Sequence, residues 1–317
     1  METALQVPPV FWAGFFVFIS IMLALDLGVF HRKSEAISVP EAARWTAVWV
    51  SLGLLFNGVV WYFFGSEAAL TFLTGYVIEY SLSVDNIFVF VLLFSAFSVP
   101  AQYQHRVLFW GILGAVLMRG TLIFAGAALI ERFGWLMYVF GAFLLFAGVR
   151  MFAGGNDDAE RDMKDSAVFR FLSRILPVSD EYDGQRFFTR RNGRLLATPL
   201  FLVLIIVEVT DLVFAVDSIP AIFAITTEPF IVFTSNIFAI LGLRSLYFLL
   251  AGIIHRFVYL QAGLAVILSY VGLKMLIADF VEIPTLLSLG VIAAVLLVSI
   301  VASVLRNRAD GGGRAAR

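Results

Sequence analysis

The chain contains no cysteine. That excludes disulfides, thiol redox chemistry and thiolate metal sites. Histidine is scarce as well: His31, His105 and His255 are the only three, and each precedes an arginine at the end of an apolar run. Solvation at a membrane interface accounts for all three, and no pair is spaced for haem or zinc. Charged residues make up 14% of 317, where a soluble domain carries about a quarter. No H-E-x-x-H, G-x-S-x-G, G-x-G-x-x-G or P-loop pattern occurs. With no nucleophile–base set either, the expectation is a protein that is not an enzyme and holds no resident cofactor. The first residues, Met1 and Glu2, lack the basic start of a signal peptide. The apolar stretch that follows is therefore read as a retained first span.

Apolar residues dominate, at 61% with a mean hydropathy of +0.95. A spanning helix needs about 20 predominantly apolar residues. Nine runs qualify, near 9–30, 44–64, 70–94, 106–130, 133–152, 198–224, 230–254, 258–278 and 285–305. The fold class expected is an all-α polytopic membrane protein of nine transmembrane helices. Lysine and arginine orient it. With the N-terminus outside, eighteen fall in inside segments, one (Arg132) falls outside, and Arg119, Arg244 and Lys274 lie within spans. An N-out, C-in chain requires an odd number of spans, in agreement with nine.

The domain plan is one transmembrane domain over 1–305, with a cytoplasmic loop at about 153–197 and a disordered, glycine-rich cytoplasmic tail over 306–317. Within the loop, Val168, Phe169, Phe171, Leu172, Ile175 and Leu176 are spaced as a short amphipathic helix ended by Pro177. The loop as a whole reads as a solvated connector lying on the membrane, with a regulatory or sensing role as the alternative.

Two stretches resemble each other. Glu79 through Ile87 and Asp211 through Ile219 both read acid-x5-Asp-[Asn/Ser]-Ile. Downstream, Arg119 parallels Arg244, Glu131-Arg132-Phe133 parallels His255-Arg256-Phe257, and Gly148-Val149-Arg150-Met151 parallels Gly272-Leu273-Lys274-Met275. Four elements in one order define a repeat of three spans, with halves at about 70–152 and 198–280. Three is odd, so the second half enters the membrane inverted, a recurring plan of secondary transporters.

The same repeat holds the chemistry. Glu79, Asp85, Glu208, Asp211 and Asp217 lie inside apolar runs. Unpaired and charged, five mid-membrane carboxylates would cost on the order of 10 kcal/mol. A bound cation, protons, or charge pairing with Arg119 and Arg244 must compensate. If each arginine takes one acid, at least three carboxylates remain. Glu79 and Asp85 are six apart, about 120° around a straight helix, so one straight helix does not aim both at one ion. Pro220 cannot donate to the carbonyl of Val216 and suggests an interrupted sixth span. With Asn86 and the hydroxyls of Ser81, Ser83, Thr210 and Ser218 nearby, the donor set is hard oxygen, suited to Mg²⁺, Ca²⁺ or Mn²⁺ over Zn²⁺ or Cu⁺. Asn57 and Asn236 read as glue between helices.

The segments Glu79 through Val89, Glu208 through Ala221 and Thr234 through Arg244 resemble the TerC family of integral membrane proteins, and within it the Alx branch. The resemblance runs from the first span to the ninth. It implies multi-pass residence in a bacterial inner membrane, a link to tellurium resistance, and export of Mn²⁺; protons are the expected counter-ion because carboxylates can alternate between metal and H⁺. The family-level site would be carried by Glu79, Asp85, Asn86, Glu208, Asp211 and Asp217. Expected partners are the divalent cation, protons and the lipid bilayer, and not nucleic acid. The alternative is a membrane scaffold or stress-response protein of the tellurite-resistance type that transports nothing itself. A direct tellurite handler has only Arg119 and Arg244 to offer an oxyanion, against surplus negative charge.

Overall fold

The computed structural model describes residues 7–30, 38–152, 177–179, 181–191, 194–251, 259–281 and 283–314. It is almost entirely helical. In chain order the elements are α1 (Pro9–Phe30), α2 (Val39–Ala96), α3 (Ala101–Arg132), α4 (Leu136–Phe152), β1 (Phe188–Arg191), β2 (Arg194–Ala197), α5 (Pro199–Phe223), α6 (Pro229–Leu241), α7 (Leu243–Leu250), α8 (Leu260–Leu276) and α9 (Thr285–Arg314).

Proline sets most of the starts. Of nine prolines, Pro8, Pro9, Pro40, Pro100, Pro199, Pro229 and Pro284 stand at or beside the first turn of a helix. There the missing N–H has no partner to lose and φ is already helical. The exception inside a helix is Pro220, yet α5 continues through it to Phe223. The expected interruption of this span is absent from its backbone. The ring costs one hydrogen bond three residues from the helix end, where few remain to be lost.

As one straight rod, α2 would measure about 87 Å at 1.5 Å per residue. It is broken instead at Gly65, where φ is +89° and ψ 176°. Only glycine takes that conformation without strain. The two arms fold back antiparallel. Phe56 and Phe72 meet with ring centroids 5.5 Å apart, and a Cβ built on Gly53 would touch the Tyr76 ring at 3.1 Å. The next reversal lacks a glycine. Ser98 sits at φ +50°, the Val99 N–H donates to the Phe94 carbonyl at 2.8 Å, and Pro100 follows. This is a Schellman end with its usual apolar contact, Val99 and Phe94 both being buried.

Five helical segments among the described residues are long and apolar enough to cross a membrane: Val39–Ser95, Ala101–Arg132, Pro199–Phe223, Pro229–Leu250 and Thr285–Arg306. Three shorter apolar helices accompany them, at Pro9–Leu25, Leu136–Phe152 and Leu260–Leu276. Exposed faces are as apolar as buried ones: on α3, Leu108, Ile112, Ala115 and Ile123 turn inward while Trp110, Leu117 and Phe124 turn outward. A helix apolar on all sides belongs in the interior of a large protein or in a bilayer.

The α6–α7 pair forms the centre and is buried throughout. Phe230, Phe233 and Phe238 of α6 meet Trp12 and Phe15 of α1 and Phe56 and Phe72 of α2. Helices α4 and α8 approach more closely than any side chain would allow. A Cβ on Gly272 would lie 2.7 Å from the Gly141 carbonyl, and one on Gly148 would lie 2.7 Å from the Ala265 carbonyl. Gly141, Leu145 and Gly148 precede Ala265, Ser269 and Gly272 by 124 residues each. The two glycines pack reciprocally: Gly148 on Ala265 and Ser269, Gly272 on Gly141 and Leu145.

One sequence expectation meets a different outcome here. The tail read as disordered from residue 306 is helical to Arg314, as the continuation of α9. Glycine is a poor helix former, but extending a long helix avoids the cost of nucleation. The loop read as a solvated connector lying on the membrane contains an antiparallel hairpin pairing Phe188 with Ala197 and Arg191 with Arg194. The amphipathic segment expected over 168–176 lies outside the described residues.

Candidate functional site

Arg119 occupies the inward stripe of α3 and is fully buried. Three helices surround its guanidinium. The Nε and Nη2 groups donate to Oδ2 and Oδ1 of Asp211 on α5, at 3.1 and 2.9 Å. Nη1 donates to Oε1 of Glu79 on α2. It also lies 3.3 Å from Ser218 Oγ on α5 and 3.4 Å from Asn236 Oδ1 on α6. Asn236 closes the ring by donating from Nδ2 to Oε2 of Glu79 at 2.9 Å. Guanidinium is suited to this place, because it offers five donors in a planar fork and stays protonated.

Glu79 and Asp211 are the equivalent acids of the two repeated segments, and one arginine joins them. Simple pairing of one acid with each arginine, the alternative left open by the sequence, does not describe Arg119, which takes two. It also read Asn236 as helix glue. Asn236 does bind across helices, but to the central acid and the central base at once. Its buried position was not readable from spacing, since every neighbour in Phe233 through Leu241 is equally apolar or small.

Glu208 lies one turn before Asp211 on α5. Its carboxylate rests directly on Gly114 of α3, where any Cβ would overlap both oxygens. Its Oε2 is buried and has no hydrogen-bond partner among the described residues. Gly114, marked in the sequence only through its place in the repeat, was not read as a site residue. The requirement for a glycine becomes visible only when α5 is laid against α3.

The remaining candidates are placed less completely. Asn86 is buried on α2, seven residues after Glu79 and so near the same face. Asp85 and Asp217 lie on α2 and α5, and their side chains are outside the described residues. Arg244 is buried at the start of α7, two residues after the junction at Gly242. Among the hydroxyls, Ser81 and Thr210 donate to carbonyls of their own helices, Val77 and Ile206. Ser83 is buried with its Oγ unpartnered among the described residues. No three Asp, Glu or His side chains converge as a metal site among the described residues.

The arrangement supplies one fixed positive charge against Glu79 and Asp211, with Glu208 beside them on α5. Removing one member of such a buried network leaves uncompensated charge, at a cost of about 3–5 kcal/mol. The network holds charge of both signs at mid-helix depth.

Residues 64–311 match the family described as Integral membrane protein TerC family. An uncharacterised membrane protein of Myxococcus xanthus is 56% identical over 309 residues, covering 97% of this chain and 96% of that protein. A protein of Escherichia coli strain K12 named Alx, provisionally described as a membrane-bound redox modulator, is 51% identical over 308 residues, covering 94% of this chain and 95% of its own. A membrane protein of Rickettsia bellii is 42% identical over 296 residues, 93% of this chain and 97% of that protein. No solved structure matches the chain.

Proposed function

This chain belongs to the TerC family of integral membrane proteins, and from that premise we propose that it is a secondary transporter exporting a divalent metal cation, Mn²⁺, in exchange for protons. The substrate is carried by Glu79, Asp85, Asn86, Glu208, Asp211 and Asp217. The observation that carries the reading is the surplus of acids over Arg119: this arginine already holds Glu79 and Asp211, and Glu208 stands one turn away with a buried, unpartnered oxygen. A structural ion pair needs one carboxylate per arginine. A site that takes up and releases a cation needs more.

The full topology proposed is nine spans, N-out and C-in, in a bacterial inner membrane, with inverted halves at 70–152 and 198–280. The reciprocal packing of Gly148 and Gly272 supports two-fold related halves. The hydrogen bond from Tyr182 to the Phe97 carbonyl supports a common side for the 97–100 turn and the 177–197 segment. A redox role, suggested by the description of the Alx relatives, has no thiol to act through in this chain.

The test is Mn²⁺ flux in proteoliposomes, wild type beside Asp85→Asn and Asp217→Asn, with a pH-sensitive dye in the lumen. Saturable flux lost in both variants, with an opposing proton movement, is the expected result. No flux of any divalent ion by folded protein would overturn the reading in favour of a scaffold.

A further inference from the structure

The β1–β2 hairpin has two unlike faces. In the observed register, Phe188, Arg190, Leu195 and Ala197 share one face, and Thr189, Arg191, Arg194 and Leu196 share the other. The second face is packed against the preceding segment at Thr189, which is buried, while Arg191 and Arg194 at its outer end are exposed. There Thr189 Oγ1 donates to Asp183 at 2.7 Å, Arg191 pairs with Glu181 at 3.0 Å, and Arg186 lies 3.6 Å from Asp183. Those contacts engage both acids of the segment that the structure describes.

The first face is open. Phe188 is 46% and Leu195 59% exposed. Arg190 on that face, and Arg194 at the hairpin tip, are exposed and have no ion-pair partner among the described residues. The hairpin is also tied to a membrane helix with no linker between. Thr198 follows β2, its N–H donates to the Phe187 carbonyl at 2.9 Å, its hydroxyl donates to the Arg186 carbonyl at 2.7 Å, and Pro199 begins α5. The Phe188 ring lies 4.5 Å from that of Phe201 in the first turn of α5.

We propose that this open face is seated on the bilayer surface, with Phe188 and Leu195 entering the edge of the hydrocarbon, Arg190 beside them binding the phosphates of anionic lipid, and Arg194, rooted on the opposite face, reaching the same phosphates around the hairpin tip. The face is short, apolar at its centre and basic at its margin, and it ends where a spanning helix begins. Aromatic and apolar side chains settle at that depth, and arginine reaches outward to headgroups. Anionic leaflets attract such basic segments. With both described acids held on the covered side, the open side is complementary to negative charge alone. The inference needs only membrane residence, not the transported ion.

The absence of native cysteine allows a clean test. The full chain carrying Leu195→Cys is labelled with an environment-sensitive fluorophore and reconstituted in phosphatidylcholine vesicles with or without phosphatidylglycerol. The expected result is a blue shift and quenching by lipid-borne doxyl groups, stronger with phosphatidylglycerol, and a loss of that difference in Arg190→Gln/Arg194→Gln. A label at Glu181→Cys, on the covered side, stays outside the reach of the lipid quencher. Three results would overturn the proposal. The first is a label at position 195 that remains accessible to iodide in both vesicles. The second is one already shielded in detergent, which would mean that the chain itself covers the face. The third is quenching indifferent to phosphatidylglycerol and to the two arginines.

Discussion

Arg119 on α3 grips Asp211 on α5 through two parallel N–H···O bonds, at 3.1 and 2.9 Å, while its third nitrogen holds Glu79 on α2. Ninety-two residues separate Arg119 from Asp211, and no local preference brings them together.

Loss of that grip leaves two buried carboxylates uncompensated. Arg119→Met is expected to destabilise the folded protein by about 3–5 kcal/mol. Thermal unfolding in detergent would show a lowered Tm. Adding Asp211→Asn and Glu79→Gln to Arg119→Met removes the stranded charges and is expected to recover part of the loss. Absence of any recovery would mean that packing, not charge, sets the cost.

A milder change separates charge from geometry. Arg119→Lys keeps the positive charge but cannot reproduce the planar fork. It is expected to fold with a smaller drop in Tm than Arg119→Met and, on the transporter reading, with impaired Mn²⁺ flux in proteoliposomes.

Gly114→Ala places a methyl group where the Glu208 carboxylate now lies. The carboxylate must swing away from α3 or the helices must part. On the transporter reading, flux falls while the folded yield stays close to wild type. Gly134→Ala, with open space around it, is the matched control and is expected to leave both unchanged.

Between α4 and α8 the contact is backbone on backbone. Gly272→Leu and Gly148→Leu are each expected to abolish folded protein, read as a monodisperse peak on size-exclusion chromatography. Reciprocal packing predicts similar losses for both, and a large difference between them would argue against equivalent halves.

Gly65→Ala tests the reversal in α2. No atom lies within 4 Å of the added Cβ, so the expected cost is backbone strain alone, about 1–3 kcal/mol. A Tm unchanged by this substitution would show that the chain can turn there with φ negative.

Much of the architecture was legible in the amino-acid order because a bilayer permits few solutions. Backbone groups in hydrocarbon must bond internally, so each apolar run is obliged to be a helix. The described helices begin and end near the runs read from the sequence, with prolines at most of the starts. The repeated acids were legible too, since a carboxylate in an apolar run is conspicuous. The hairpin was not: a pair of four-residue strands carries too weak an alternation to stand out in a charged loop.

Composition and order by themselves determined that this chain is helical, membrane-embedded and burdened with buried acids, because hydropathy is a property of each residue summed along a segment. Partner choice was decided by the tertiary structure alone. Which acids Arg119 holds, why position 114 must be glycine, and how Asn236 bridges both signs of charge all depend on distances between helices. Those distances are set by the shapes of facing side chains and by three glycines at the α4–α8 contact, and they leave no periodic mark along the chain.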